Sequence, residues 1–347
     1  MSSPNLFSIV DLPPGDLLVT GATGFLGGRL VRALLTAGLP EGRLRCLVRD
    51  RERARAGGLP DASLWVGDLV GGGAAVLPDV ATGVGAVVHL AGCLKTWRRA
   101  DYDPVNVAGT GRLVDALRRG SPRAHLVDVS SLSAAGPSVD GLGSTEPPAA
   151  CRPVSGYGDS KRRGELLVVA SGLPHTIVRP PVVYGPGDAA TRLLFQQALA
   201  PLVAVPFVPR PLSVVHADDV VRALLAALAV RPVGAVVALD GPQRSDTHAL
   251  LRAVAAACGR RARLVGVPMP IAGAAAAASD VWARLRRKAS FFNRDKVREI
   301  RAAGWVADGS AARALLGFVA AIDLAAGLAA VARSEGFAAG SATSATA

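Results

Sequence analysis

Tyr157 and Lys161 stand four residues apart in "SGYGDSKRRGE" (155–165). Positions i and i+4 share one helix face, so a phenol and an ammonium would project side by side. The lysine is unusual in this chain. Of 39 basic residues only Lys95, Lys161, Lys288 and Lys296 are lysine, and Tyr157 is one of three tyrosines. A free phenol has a pKa of about 10 and exchanges protons poorly at neutral pH. An adjacent ammonium favours the phenolate and lowers that value. A compact ammonium with three donors can also hold ribose hydroxyls, a task the planar fork of Arg does not share. Taken alone, the pair equally fits a helical tyrosine beside a solvated lysine.

A hydroxyl supplier lies upstream. "HLVDVSSLSAAG" (125–136) reads as a strand ending on Ser130, Ser131 and Ser133. A hydroxyl at the carboxyl end of a parallel strand could hydrogen-bond the substrate oxygen that Tyr157 protonates or deprotonates. Serines are also common in such turns.

"DLLVTGATGFLGGRLVRALL" (16–35) is a strand, then Gly21, Gly24 and Gly27, then a helix. Gly21 permits a tight turn, Gly24 lets backbone amides reach a pyrophosphate, and Gly27 lets the helix pack close to the strand. A plain Gly-rich turn is the alternative, but the strand-turn-helix context favours a dinucleotide cradle. The second strand ends in "RCLVRDRERAR" (45–55), which places Arg49 where the adenosine ribose is read, with Arg51 and Arg53 nearby. An Arg there meets a 2′-phosphate, so NADP(H) is preferred over NAD(H). The alternative has Arg49 stacked on adenine and Asp50 on the ribose. Asp68 in "VGDL" (66–69) could accept from the adenine amine, and the small residues of "HLAG" (89–92) let a cofactor cross the strand ends.

Positioning these groups requires alternating strands and helices. Strand-type runs fall at 16–20, 44–48, 63–67, 86–90, 125–130, 175–179 and 235–239, with helical stretches between most of them. Such alternation predicts an α/β fold, a Rossmann-type doubly wound parallel sheet. After residue 180 the pattern loosens, with prolines in 201–211 and helices near 218–230, 246–258 and 268–288. The expected division is a dinucleotide-binding domain over 1–180 and a smaller, mostly helical substrate-binding region over 181–335. The strand near 235–239 returns to the first domain, and 336–347 reads as a disordered tail.

The chain has 347 residues and a net charge of +12, but no run of five basic residues. Spread Arg on a solvated surface accounts for that charge, and no basic helix face with interleaved aromatics supports nucleic-acid binding. Cys46, Cys93, Cys151 and Cys258 are far apart and show no metal spacing, so they read as reduced thiols of a cytoplasmic protein, with no metal expected. The first 16 residues lack signal-peptide character, and no run of 18 apolar residues exists. The segment 264–288 is apolar and then basic, a candidate for peripheral membrane contact.

Together these residues resemble the extended short-chain dehydrogenase/reductase family, also called epimerase/dehydratase-like. The matching pieces are "TGATGFLG" (20–27), "GDL" (67–69), "HLAG" (89–92), "NVAGT" (106–110), "VSSLSAAG" (129–136), "YGDSK" (157–161), "VRPPVVYGPGD" (178–188), "VVHADDVVRA" (214–223) and "WVADGSAARALLGF" (305–318). The resemblance implies Ser131 as the catalytic serine, Tyr157 as acid/base, Lys161 as ribose anchor and Asn106 as active-site support. The cofactor-binding set on this basis is Gly21, Thr23, Gly24, Phe25, Leu26, Gly27, Arg49, Asp68, Leu69, Leu90, Ala91, Gly92, Tyr157, Lys161, Pro180, Val182 and Val183. His216 and Asp219 fall in a domain-joining motif and look structural. A homodimer is implied by the resemblance alone.

The departures concern substrate. Sugar-nucleotide members carry an Asn where this chain has Val182 and an Arg where it has Leu212. A buried diphosphate without partners would be costly, although Arg210 or Arg192 could substitute. The sequence is most similar to the 3β-hydroxysteroid dehydrogenase and dihydroflavonol reductase branches. The expected activity is an NADP(H)-dependent ketone/alcohol interconversion on an apolar small molecule, with apolar segments 193–208 and 264–279 suited to its pocket. The alternative is an NAD-dependent sugar-nucleotide epimerase or dehydratase.

Overall fold

The computed structural model describes residues 12–338 apart from 95, 97–98, 139–144 and 287–293. Lys95, Lys288, the N-terminal segment 1–11 and the tail 339–347 lie outside the described residues.

The described residues form twelve strands: β1 (Asp16–Thr20), β2 (Leu44–Val48), β3 (Leu64–Val66), β4 (Val84–His89), β5 (His125–Val129), β6 (His175–Arg179), β7 (Val182–Tyr184), β8 (Val203–Pro206), β9 (Pro211–His216), β10 (Ala235–Ala238), β11 (Arg244–Asp246) and β12 (Leu264–Val267). Seven form one sheet in the order β10-β6-β5-β4-β1-β2-β3. Every pairing in it is parallel. These strands are short runs of Val, Leu and Ile because both faces of a parallel sheet are covered by helices.

Side chains alternate between the faces. Val19, Val88, Val127 and Val178 join one core with helices Phe25–Thr36 and Ala217–Val230. Leu18, Val87, Leu126 and Ile177 join the opposite core, with Leu113, Leu117 and Val168. Successive strands are laid down in one direction from β1 to β3 and in the other from β4 to β10, so the carboxyl ends of β1 and β4 open the crevice where such sheets bind ligands.

The C-terminal region adds a three-stranded sheet β11-β9-β7 and the pair β12-β8. Its own core gathers Tyr184, Phe195, Leu212, Val254 and Leu328. Asp219, on the helix Ala217–Val230 that packs on the large sheet, accepts from the backbone N–H groups of Ala321 and Ile322. Phe337, inside the expected tail, stacks on Phe195 with ring centroids 5.2 Å apart. Among the described residues no helix is long and apolar enough to cross a membrane, and no group of His, Cys, Asp and Glu is placed to hold a metal ion.

Candidate active site

The glycine cradle lies at the end of β1. Gly21 adopts φ +72°, and a methyl there would meet the backbone N of Ala91 at 2.7 Å. A methyl at Gly27 would overlap the Gly21 carbonyl, so helix Phe25–Thr36 can approach the strand only with glycine at both places. Gly24 is the N-cap of that helix, with no side chain capping it and no acid in its first turn. Thr23 and Gly24 are exposed, Phe25 and Leu26 half-buried. Unsatisfied amides and a positive helix end at an open turn fit a pyrophosphate. Leu90 and Ala91 are half-buried and Gly92 is exposed beside this turn.

At the end of β2, Arg49 is exposed. Asp50 caps helix Arg51–Ala56, accepting from the backbone N of Arg53 at 3.0 Å. Arg51 is paired with Asp61 at 2.8 Å. The Asp68 carboxylate accepts from the backbone N of Leu69 at 2.7 Å, and Leu69 is buried.

Helix Gly156–Ala170 carries Tyr157 and Lys161. Gly158 lets it sit close to the short helix Leu132–Ala135 that follows β5, since a methyl there would overlap the Ser133 carbonyl. Burial pushes the Tyr157 phenol above its usual range, and the nearby Ser131 hydroxyl acts to lower it. Ser131 Oγ also accepts from the backbone N of Ser133 at 3.2 Å, which orients the hydroxyl. Ser130 is buried and its Oγ has no hydrogen-bond partner among the described residues. Lys161 is buried, and its Nζ donates to the Val129 carbonyl at 2.9 Å. The lysine was expected to lower the phenol's pKa. Instead burial dominates at Tyr157, and the ammonium acts on His89 and Asp128.

Asn106 lies in a π-turn, Pro104–Gly109. Its Oδ1 accepts from the backbone N of Cys93 at 2.7 Å, and its Nδ2 donates to Cys93 O and Ser160 Oγ. It therefore joins the loop after β4 to the helix of Tyr157. Gly164 allows this approach, because a methyl there would sit 2.7 Å from Asn106 O.

Three participants were not identified from sequence. His89 is buried between Thr20 Oγ1 at 2.7 Å and Thr110 Oγ1 at 3.0 Å. Ala91 N donates to Thr20 Oγ1, and Thr110 Oγ1 donates to Asn106 O. The network therefore makes His89 neutral, accepting at Nδ1 and donating at Nε2. Burial, then the charge of Lys161, lowers its pKa to about 3. Tyr102 stacks obliquely on Tyr157 with centroids 5.9 Å apart. Asp295 Oδ2 accepts from the backbone N of Gly156 at 2.8 Å. Only the histidine had a local signal, as the residue preceding "LAG" in a chain with five. The other two depend on contacts across 55 and 139 positions.

Beyond β6, Pro180 is buried, Val183 half-buried and Val182 44% exposed. Leu212 packs in the C-terminal core, so its side chain answers to packing there. Arg192 pairs with Glu335 at 3.5 Å. Arg210 Nε is buried without a hydrogen-bond partner among the described residues.

A doubly wound sheet with an unblocked glycine cradle at its switch point, facing a tyrosine, a lysine and a serine, defines a dinucleotide-dependent enzyme. The model of the NAD dependent epimerase/dehydratase family matches residues 17–237. The chain is 34% identical to a ceramide reductase of Caulobacter vibrioides over 294 residues, 84% of this chain and 86% of that protein. It is 31% identical to the 3 beta-hydroxysteroid dehydrogenase type 7 of Mus musculus over 211 residues, 52% of this chain and 54% of that one. The solved structure of MoeE5 with UDP-glucuronic acid and NAD is similar, with a TM-score of 0.69 and 26% identity over 92% of this chain and 99% of that one. The chain belongs to the NAD-dependent epimerase/dehydratase family and is an extended, NAD(P)-dependent enzyme of the short-chain dehydrogenase/reductase type.

Proposed function

We propose that this protein is an NADP(H)-dependent oxidoreductase interconverting a ketone and a secondary alcohol on an apolar substrate of steroid, lipid or polyketide type. The observation that carries the reading is the placement of the Tyr157 phenol near the Ser131 hydroxyl at the carboxyl end of β5, with Lys161 one turn on. A bound nicotinamide would supply or accept the hydride at the substrate carbon. Tyr157 gives its proton to the substrate oxygen in reduction and takes it back in oxidation. The phenol is protonated at neutral pH, and burial raises its pKa further, which suits it as the donor. Ser131 holds the same oxygen. Lys161 orients the ribose, and Asn106 positions the loop and helix around both.

Arg49 supports NADP(H), since it makes no ion pair among the described residues while Asp50 is committed to a helix cap. NAD(H) is the alternative. The relatives named for ceramide and 3β-hydroxysteroids support an apolar substrate, as does aliphatic Val182. The accompanying organisation puts the dinucleotide on 1–180 and the substrate on 181–335, in a cytoplasmic homodimer. One observation favours a second reading, an NAD-dependent sugar-nucleotide epimerase or dehydratase. The unpartnered Arg210 guanidinium nitrogen could meet a diphosphate.

The test is Tyr157→Phe, assayed with NADPH and a panel of hydrophobic ketones. Turnover falls by about 10²–10⁴ while NADPH affinity is retained. Undiminished turnover sinks the assignment. NAD that co-purifies, together with binding of a UDP-sugar, selects the second reading.

A further inference from the structure

Helix Met269–Arg286 is amphipathic in the wrong sense for a soluble surface. Its exposed positions recur at helical spacing as Ile271, Ala274, Ala278, Val281, Trp282 and Leu285, with Leu285 73% exposed. This apolar stripe runs from Ile271 to Leu285 of the 18-residue helix, about 22 Å. A second exposed group adjoins it. β12 enters the helix through Pro268, whose carbonyl accepts from the backbone N of Ile271. Phe207, 74% exposed, lies over Gly266 of β12. A surface of this kind marks a binding site.

We propose that this stripe, with the Phe207 corner, docks on the surface of an anionic lipid bilayer. Charge selects the occupant. Segments 200–211 and 258–286 hold Arg210, Arg260, Arg261, Arg263, Arg284 and Arg286 against a single acid, Asp280. Basic residues thus flank both ends of the stripe in sequence. A second copy packed on it would bring basic ends together in either orientation, whereas anionic headgroups neutralise them. Arg286 stacks over Trp282 at 4.2 Å, a pairing suited to an interface that is apolar below and charged above. The helix lies on the bilayer rather than crossing it.

Hydrogen bonds link this helix to the helix of Tyr157. Asp280 accepts from the backbone N of Arg294, and the next residue, Asp295, accepts from Gly156 N. Delivery of a membrane-dissolved substrate toward Tyr157 rests on the oxidoreductase reading; the docking itself does not.

The experiment is sedimentation of the full chain with vesicles of phosphatidylcholine alone and of phosphatidylcholine with phosphatidylglycerol. Binding is expected to the anionic vesicles, weakened by salt, and feeble to the neutral ones. Leu285→Asp and Phe207→Asp each reduce partitioning by about tenfold or more. Val233→Asp, at an exposed apolar residue elsewhere, leaves it unchanged. Circular dichroism melts confirm that the variants fold. Failure to bind either vesicle, equal binding to both, or wild-type binding by Leu285→Asp overturns the proposal. So does a solution dimer that Leu285→Asp splits while neither protein binds vesicles, which makes the stripe a self-association face. Turnover of a soluble ketone and of a vesicle-dissolved one, measured in parallel, separates the two readings. Binding without turnover of either sinks the oxidoreductase reading and leaves the docking intact.

Discussion

Asp295 accepts a hydrogen bond from the backbone N–H of Gly156, the first residue of the helix that carries Tyr157 and Lys161. Ser155 Oγ serves the same turn, accepting from Gly158 N at 3.1 Å. A carboxylate at a helix N-terminus also complements the helix dipole. A helix from the C-terminal region is thereby fixed against the tyrosine, and its Glu299, one turn beyond Asp295, sends a negative charge toward the phenol. Burial first, then Asp295, Cys93 and Glu299, pushes Tyr102 up to about 12. At Tyr157 the Glu299 charge adds to the effect of burial.

Glu299→Gln should therefore ease ionisation of Tyr157. Removing a negative charge stabilises the phenolate, so the phenol's pKa falls. The alkaline rise of kcat/KM for alcohol oxidation should move to lower pH. The profile measured for both proteins with one alcohol checks this. A profile that stays in place would show that the Glu299 charge does not reach the phenol in the working enzyme.

Arg49 gives the cofactor prediction. A charge-assisted hydrogen bond contributes about 1.5–3 kcal/mol, so Arg49→Ala should weaken NADPH binding by about 10–100-fold and leave NADH within a few-fold. Fluorescence titration of both nucleotides reads the difference. Equal losses for both would mean that Arg49 acts on the adenine they share.

The seven-stranded sheet was legible because each of its strands is an apolar run between turn residues, and the glycine spacing after β1 has one economical reading. β7, β8, β9, β11 and β12 were not read as strands. They are three to six residues long, several are rich in proline or polar residues, and they are held by non-local pairing. The Tyr157–Lys161 pair was visible as a helical spacing. Its environment was not. That Lys161 would donate to Val129 O, or that Asn106 would join residue 93 to residue 160, depends on a π-turn and on Gly164. Leu212 shows the opposite failure. A position argument placed it at the substrate, and packing placed it in the core.

Arg179 and Glu165 form a fully buried, two-pronged ion pair, Nε to Oε1 at 2.9 Å and Nη2 to Oε2 at 2.7 Å. Arg179 Nη1 also donates to Glu146 O. Arg179→Met alone strands a buried carboxylate and should cost about 3–5 kcal/mol, whereas Arg179→Met with Glu165→Leu should cost clearly less. Urea unfolding of the single and double variants measures the coupling. Additive losses would show that the two charges are satisfied independently.

His89 should make the fold acid-sensitive. Its pKa is about 3 when folded, against 6.5 for the free side chain. A depressed pKa contributes stability that is present above 6.5 and lost as pH falls toward 3, because only the unfolded chain takes up the proton. Between pH 7.5 and 5 this loss amounts to about 2 kcal/mol. His125, lowered to about 4 by burial and then by Arg231 and His175, acts in the same direction. Asp128, raised by burial to about 6, acts in the other, since its folded form keeps a proton that the unfolded chain releases. His89→Gln leaves His125 and Asp128 in place and removes only the His89 contribution. At pH 7.5 the variant should be less stable by about 1–3 kcal/mol, because Thr20 and Thr110 lose a well-placed partner. Its further loss on going to pH 5 should be about 2 kcal/mol smaller than that of the wild type. Urea unfolding at the two pH values supplies all four free energies. A pH 5 loss equal in both proteins would mean that His89 takes up its proton in the fold as readily as in the unfolded chain, with Nδ1 donating to Thr20 Oγ1 rather than accepting from it.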